Sequence, residues 1–265
     1  MHSQEPWKSL GWRHSVWDLL RYYCSLRGEK RDNWVTNLNS TLRLSVDERT
    51  EFPVKEEDVR LFVRYLTHRG KQAQHAMSLL RSEIEALEYC AVRGIEASRT
   101  TTQSQDHHQS SKAMIAAVTD IAQRVSKAHG ATIESSPQTR CVWLTEQHLH
   151  VTARNLDGAI PGLANPLFVW EIKEYWGKTK GGSKMSDAVY ECNLVGRELR
   201  EFEERAGITV YHIVFVDGKT QWSYRKSDLV RFLDLTNQGL IDYLFVGREV
   251  ETEWEDTLTR LFAER

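Results

Sequence analysis

Apolar positions recur at helical spacing through the first hundred residues. Trp17-Asp18-Leu19-Leu20-Arg21-Tyr22-Tyr23-Cys24 has the three-to-four residue repeat of an amphipathic helix. A second helix is predicted from Val54, just after Pro53, through Val63. A third, long one is predicted from about Lys71 to Arg93, a stretch without Pro and with Met77, Leu79, Leu80, Ile84, Leu87 and Tyr89 on its apolar face. Trp7, Trp12 and Trp17 read as an aromatic cluster, either core or a surface on which bases stack.

The pattern then breaks. Residues 99–111, Arg-Thr-Thr-Thr-Gln-Ser-Gln-Asp-His-His-Gln-Ser-Ser, contain nothing aliphatic or aromatic-hydrocarbon to bury and read as a linker or exposed loop. His107-His108 within it reads as solvated. Beyond it, Lys112 to His129 is a helix candidate ended by Gly130. Cys141–Leu144 and His148–Thr152 suggest a strand pair, and Leu167–Lys173 a further strand. Ser186–Ala206 is helical. Thr209–Val216 is a continuous β-branched and aromatic run, as expected of a strand buried on both faces. Asp228–Thr236 is helical and Ile241–Val246 a last short strand. The expected organisation is a helical domain over 1–98, a linker over 99–111 and an α/β domain with a mixed sheet over 112–265.

Composition changes little in this picture. At 40% apolar and 27% charged, the 265-residue chain is that of an ordinary globular protein. No apolar run reaches the roughly 18–20 residues needed to span a bilayer. Met1-His2-Ser3-Gln4-Glu5-Pro6 has neither a basic nor an apolar signal region, so a cytoplasmic location without membrane contact is expected. Cys24, Cys90, Cys141 and Cys192 are widely spaced; they read as reduced thiols, with a zinc site as the lesser alternative. The net charge of −2 argues against a protein that coats nucleic acid indiscriminately, while leaving room for an acidic metal site beside a local basic face.

Chemistry concentrates in Leu156-Asp157-Gly158 and, fourteen residues after Asp157, Glu171-Ile172-Lys173. Two-residue strand periodicity places Glu171 and Lys173 on one face. A hairpin through Pro161, Gly162 and Pro166 brings Asp157 alongside. Two carboxylates and the backbone carbonyl of Ile172 suit Mg²⁺, with Mn²⁺ as a substitute, and Lys173 is placed to stabilise charge building on a phosphate. The bland alternative is a same-face ion pair on an edge strand beside an ordinary Asp-Gly turn.

This constellation resembles the PD-(D/E)xK nuclease superfamily, which includes most type II restriction endonucleases and many repair and phage-defence nucleases. The resemblance spans roughly residues 112–246, with Leu156 replacing the usual Pro. It implies a restriction-endonuclease-like mixed sheet flanked by helices, preceded here by the N-terminal helical domain. It implies Mg²⁺-dependent hydrolysis of DNA, in restriction or phage defence, by Asp157, Glu171 and Lys173. An accessory acid is expected from Glu191, Glu134 or Asp120, with Glu191 best placed. Lys178, Lys180 and Lys184, in the glycine-rich loop after the Glu171 strand, are candidates for nucleic-acid contact. The helical domain is expected to supply specificity, homodimerisation or docking to a partner defence protein. Two other readings stay open: a catalytically inactive nuclease fold that binds DNA or protein, and a helical interaction protein with a purely structural α/β half.

Overall fold

A computed structural model describes residues 1–47, 49–99, 110–177 and 183–264. The chain is a mixed α/β protein whose sheet carries helices on both faces, with further helices ahead of it. Among the described residues no helix is long and apolar enough to cross a membrane.

The N-terminal helices α1 (Trp7–Leu10), α2 (Val16–Ser25) and α3 (Glu29–Thr41) precede a small hairpin of β1 (Arg43–Ser45) and β2 (Glu51–Pro53). They close around the first half of α4 (Glu56–Leu79). Trp7 and Trp17 meet the buried Tyr65 ring edge-on, at 5.0 and 5.1 Å, so these two tryptophans are core. Trp12 departs from them and lies under the guanidinium groups of Arg13 and Arg197.

The helix predicted over Lys71–Arg93 is two helices. The chain leaves α4 at Leu80-Arg81 and re-enters at α5 (Glu83–Arg93), where Ser82 and Glu85 form a reciprocal capping box. Conversely, α4 runs unbroken through Gly70, joining segments that the apolar pattern separates. Arg81 explains the break. It is fully buried, and its Nε donates to Asp217 Oδ2 at 2.7 Å while its backbone N–H donates to Asp217 Oδ1 at 2.8 Å. A continuing helix would commit that N–H to a carbonyl four residues back.

The polar stretch has its ends pinned. Arg99 bridges Ser111, and the Lys112 N–H donates to Ser98 O at 2.8 Å. Residues 100–109, including His107 and His108, lie outside the described residues. Then come α6 (Ala113–Ala128), β3 (Glu134–Ser135) and the hairpin of β4 (Val142–Leu144) and β5 (Leu149–Val151), which forms a sheet of its own. The remainder is β6 (Gly158–Ile160), β7 (Phe168–Glu174), α7 (Ser183–Ala206), β8 (Tyr211–Asp217), α8 (Lys219–Tyr224), α9 (Lys226–Asn237), β9 (Tyr243–Val246), α10 (Glu249–Thr252) and α11 (Trp254–Ala263).

The main sheet has the order β3-β6-β7-β8-β9, antiparallel through β7 and parallel from β7 to β9. Strand alternation sorts its faces. Phe168, Trp170 and Ile172 of β7 join Ile213 and Phe215 of β8 in a core with α6 and α11. Val169 and Val214 face the other way, against α7 and α9. Ala86 and Cys90 of α5 line the first core, and Ala73, Ala76 and Leu80 of α4 line the second. Gly158 opens β6 and is no free turn: a Cβ there would sit 2.0 Å from the Trp170 indole.

Glu174, at the end of β7, accepts from the Met114 N–H at 2.9 Å and so caps α6. Burial pushes its carboxyl up to about 7, against the pull of that N–H and of the Trp176 indole N–H. A carboxyl whose folded pKa lies above its unfolded value favours the fold when protonated, so its contribution is lost as pH rises from about 4.5 to 7. Glu174→Gln is therefore expected to gain on the wild type by about 1–3 kcal/mol between pH 5 and pH 8. Urea unfolding of both proteins across that range checks this; a difference that stays flat or shrinks as pH rises would refute it.

Candidate active site

Asp157 stands immediately before β6. Its N–H donates to Trp170 O at 2.9 Å, and its Oδ2 accepts from the Ile172 N–H at 2.7 Å. These two bonds bracket Glu171 from the neighbouring strand. The Ile172 N–H points toward Asp157, and a residue's carbonyl leaves a strand on the same side as its N–H. The Ile172 carbonyl therefore points to that side too. Burial raises the Asp157 carboxyl above its ordinary range; the Ile172 N–H and Lys173 pull it down, and the Glu171 charge adds to the rise.

Glu171 and Lys173 both face α7. Glu171 is 1% exposed and Lys173 7%. Lys173 Nζ lies 2.5 Å from Glu171 Oε2 and donates to Glu191 Oε2, on α7, at 3.1 Å. Burial alone would lower the Lys173 ammonium pKa, but Glu171 and the other acidic groups around it outweigh burial and raise it. Arg154, in the turn before Asp157, pairs with Glu191 and lies 3.8 Å from Glu171 Oε1. Both Glu171 oxygens are buried; Oε2 is held by the Lys173 ammonium, while Oε1, 3.8 Å from Arg154 Nε, has no hydrogen-bond partner among the described residues.

The fold thus brings together Asp157, Glu171, the Ile172 backbone, Lys173 and Glu191. It separates the other two accessory candidates. Asp120 is on α6, across the sheet, paired with Arg124 at 3.1 Å. Glu134 is exposed on β3, the edge strand. Helical and strand periodicity could not exclude either, because neither fixes which sheet face a helix covers. Lys184 is exposed at the start of α7; Lys178 and Lys180 lie outside the described residues. The Glu171–Lys173 ion pair is present but not at an edge: β7 is flanked by β6 and β8.

Arg154, Cys192 and His212 lie at this site unanticipated. A signal for two of them exists in the chain: His212 interrupts an otherwise apolar strand, and Cys192 follows Glu191 directly. The atoms that Glu171, Cys192 and His212 could offer a metal all lie within 4.8 Å of one another, and all three residues are buried.

On the far side of α7 is a cavity of about 580 Å³, lined by Tyr190, Asn193 and Arg197 of α7, by Arg69 of α4 and by Lys226 and Arg231 of α9.

Comparison with known proteins places most of the chain in one family. Residues 68–261 match the family described as a domain of unknown function, DUF7687. The chain belongs to that family. The match begins inside α4, and so takes in α5 as well as the whole sheet. No curated protein matches the chain. No solved structure matches it either.

Proposed function

We propose that this DUF7687 member is a metal-dependent nuclease of the PD-(D/E)xK type, with a restriction-endonuclease-like sheet and DNA as substrate. The observation that carries the reading is the Glu171 carboxylate: buried, set between Asp157 and Lys173, with Oε2 held by the Lys173 ammonium and Oε1 without a hydrogen-bond partner among the described residues. A carboxylate oxygen left without a partner, as Oε1 is here, is costly in a protein interior. A cation removes that cost, and the oxygen donor set suits Mg²⁺ or Mn²⁺.

Asp157, Glu171 and the Ile172 carbonyl are the residues that would hold the ion. When bound, a divalent cation supplies charge stabilisation at a phosphodiester and lowers the pKa of water. Lys173 supplies a fixed positive charge that needs no reorganisation as negative charge builds on the phosphate. Glu191 holds the Lys173 ammonium from α7, and Arg154 holds Glu191. An ammonium has three protons to donate, so these contacts fix the lysine's direction without consuming them all. A buried Lys–Glu pair often returns less in stability than its desolvation costs, so a pair buried here fits a functional use. A place in restriction or phage defence fits this chemistry.

Incubation with plasmid, linear duplex and single-stranded DNA, each with Mg²⁺, Mn²⁺ or EDTA, tests the proposal. Cleavage that requires the metal, and disappears in Glu171→Gln, is expected. Binding without cleavage of any substrate would favour an inactive nuclease fold instead.

A further inference from the structure

His212 is fully buried in β8, yet half of its ring has no hydrogen-bond partner among the described residues. Its Nδ1 lies 2.8 Å from Leu240 O. A carbonyl oxygen can only accept, so Nδ1 carries the hydrogen and Nε2 presents a bare lone pair. That Nε2 is buried and takes no hydrogen bond. A backbone carbonyl holding one ring nitrogen, with the other aimed inward, is how metal-binding histidines are usually oriented.

The imidazole has two further donors near it. Cys192, fully buried on α7, and Glu171, on β7, complete a set whose ligand atoms lie within 4.8 Å of one another. The three come from three separate elements, β7, α7 and β8, so no local sequence pattern produces the cluster. Sulfur, imidazole nitrogen and carboxylate oxygen together form a softer set than the oxygen ligands that suit Mg²⁺.

We infer that Glu171, Cys192 and His212 form a buried site for Zn²⁺, adjoining the proposed nuclease centre and sharing its Glu171 carboxylate. Three protein ligands leave one tetrahedral position open. The Cys192 Sγ–H proton passes to solvent as the Sγ–metal bond forms. Lys173 need not block the ion, because Glu191 already offers its ammonium a second partner at 3.1 Å. Nearby carboxylates (Asp157, Glu171, Glu191) outnumber the cations Lys173 and Arg154. Because one carboxylate serves both sites, Zn²⁺ would compete with Mg²⁺; this consequence alone rests on the nuclease reading.

Co²⁺ is the probe, titrated into the full chain under reducing, oxygen-free conditions. One equivalent should produce a thiolate-to-cobalt charge-transfer band, and Zn²⁺ should abolish it. Cys192→Ala should lack the band, while Cys24→Ser, which removes the exposed thiol, should keep it. His212→Gln retains the thiol and should bind Co²⁺ at least about tenfold more weakly; it reads the imidazole's share even if Cys192→Ala does not fold. No band, a band that survives in Cys192→Ala, or unchanged affinity in His212→Gln would overturn the site. A failed nuclease reading looks different: no DNA is cut, and the cobalt band is unaffected.

Discussion

Lys173→Ala is expected to lower metal-dependent DNA cleavage by at least about a hundredfold while leaving Mn²⁺ binding intact or tighter. The geometry separates the two effects. Lys173 Nζ sits 2.5 Å from Glu171 Oε2, so removing it frees that oxygen and takes a like charge away from the incoming cation. The positive charge proposed to meet the phosphate is lost at the same time. Glu171→Gln should act in the opposite way on binding: its shape persists, its charge does not, and Mn²⁺ affinity should fall along with cleavage. Calorimetric Mn²⁺ titration beside single-turnover cleavage distinguishes them. Wild-type cleavage by Lys173→Ala would remove this lysine from the mechanism, and the proposed nuclease type with it.

Asp217→Ala should cost about 3–5 kcal/mol of stability, far more than loss of a surface ion pair. Asp217 and Arg81 are both fully buried. The carboxylate accepts from Arg81 Nε at 2.7 Å and from the backbone N–H groups of Arg81 and Gly218 at 2.8 Å each. Without it, Arg81 would retain only Glu251, 2.6 Å from its Nη1, and part of a buried positive charge would lose its partner. The same contacts fasten the α4–α5 break to the end of β8, so the loss should fall on the packing of α4 and α5 as well. A surface pair gives the contrast: Asp18→Ala, which breaks an exposed i,i+3 pair with Arg21, should shift stability by less than about 1 kcal/mol. Equilibrium urea unfolding measures both. A loss at Asp217 as small as that at Asp18 would mean the buried pair contributes nothing beyond its geometry.

The sheet strands that carry the site are legible in the sequence because they are apolar on both faces. Phe168–Trp170 and Ile213–Val216 read as buried strands, and a buried strand ending in Glu171 and Lys173 marks itself as unusual. The Asp157 hairpin is legible from the turn-forming Pro161, Gly162 and Pro166 between Asp157 and the Glu171 strand, although the strand β6 that starts at Gly158 is not. Short elements such as β3, β6 and α10 carry too few residues for a period to show. The Lys71–Arg93 stretch reads as one helix because nothing local reveals that Arg81, a polar residue, is buried.

Sequence alone settles which residues can share a strand face, since alternation along an extended backbone is a local property. It thereby links Glu171 to Lys173 and offers Asp157 as their neighbour. Sequence position already favours Glu191 as the accessory acid; only the tertiary structure sets Asp120 and Glu134 apart from the site, places Arg154 against Glu191, and sets Cys192 and His212 beside Glu171. Those contacts join residues from strands and helices far apart in the chain, and their distances depend on which face of the sheet each helix covers. That choice is made by the packing of whole apolar surfaces, α6 and α11 on one side and α7 and α9 on the other, and not by any residue at the site.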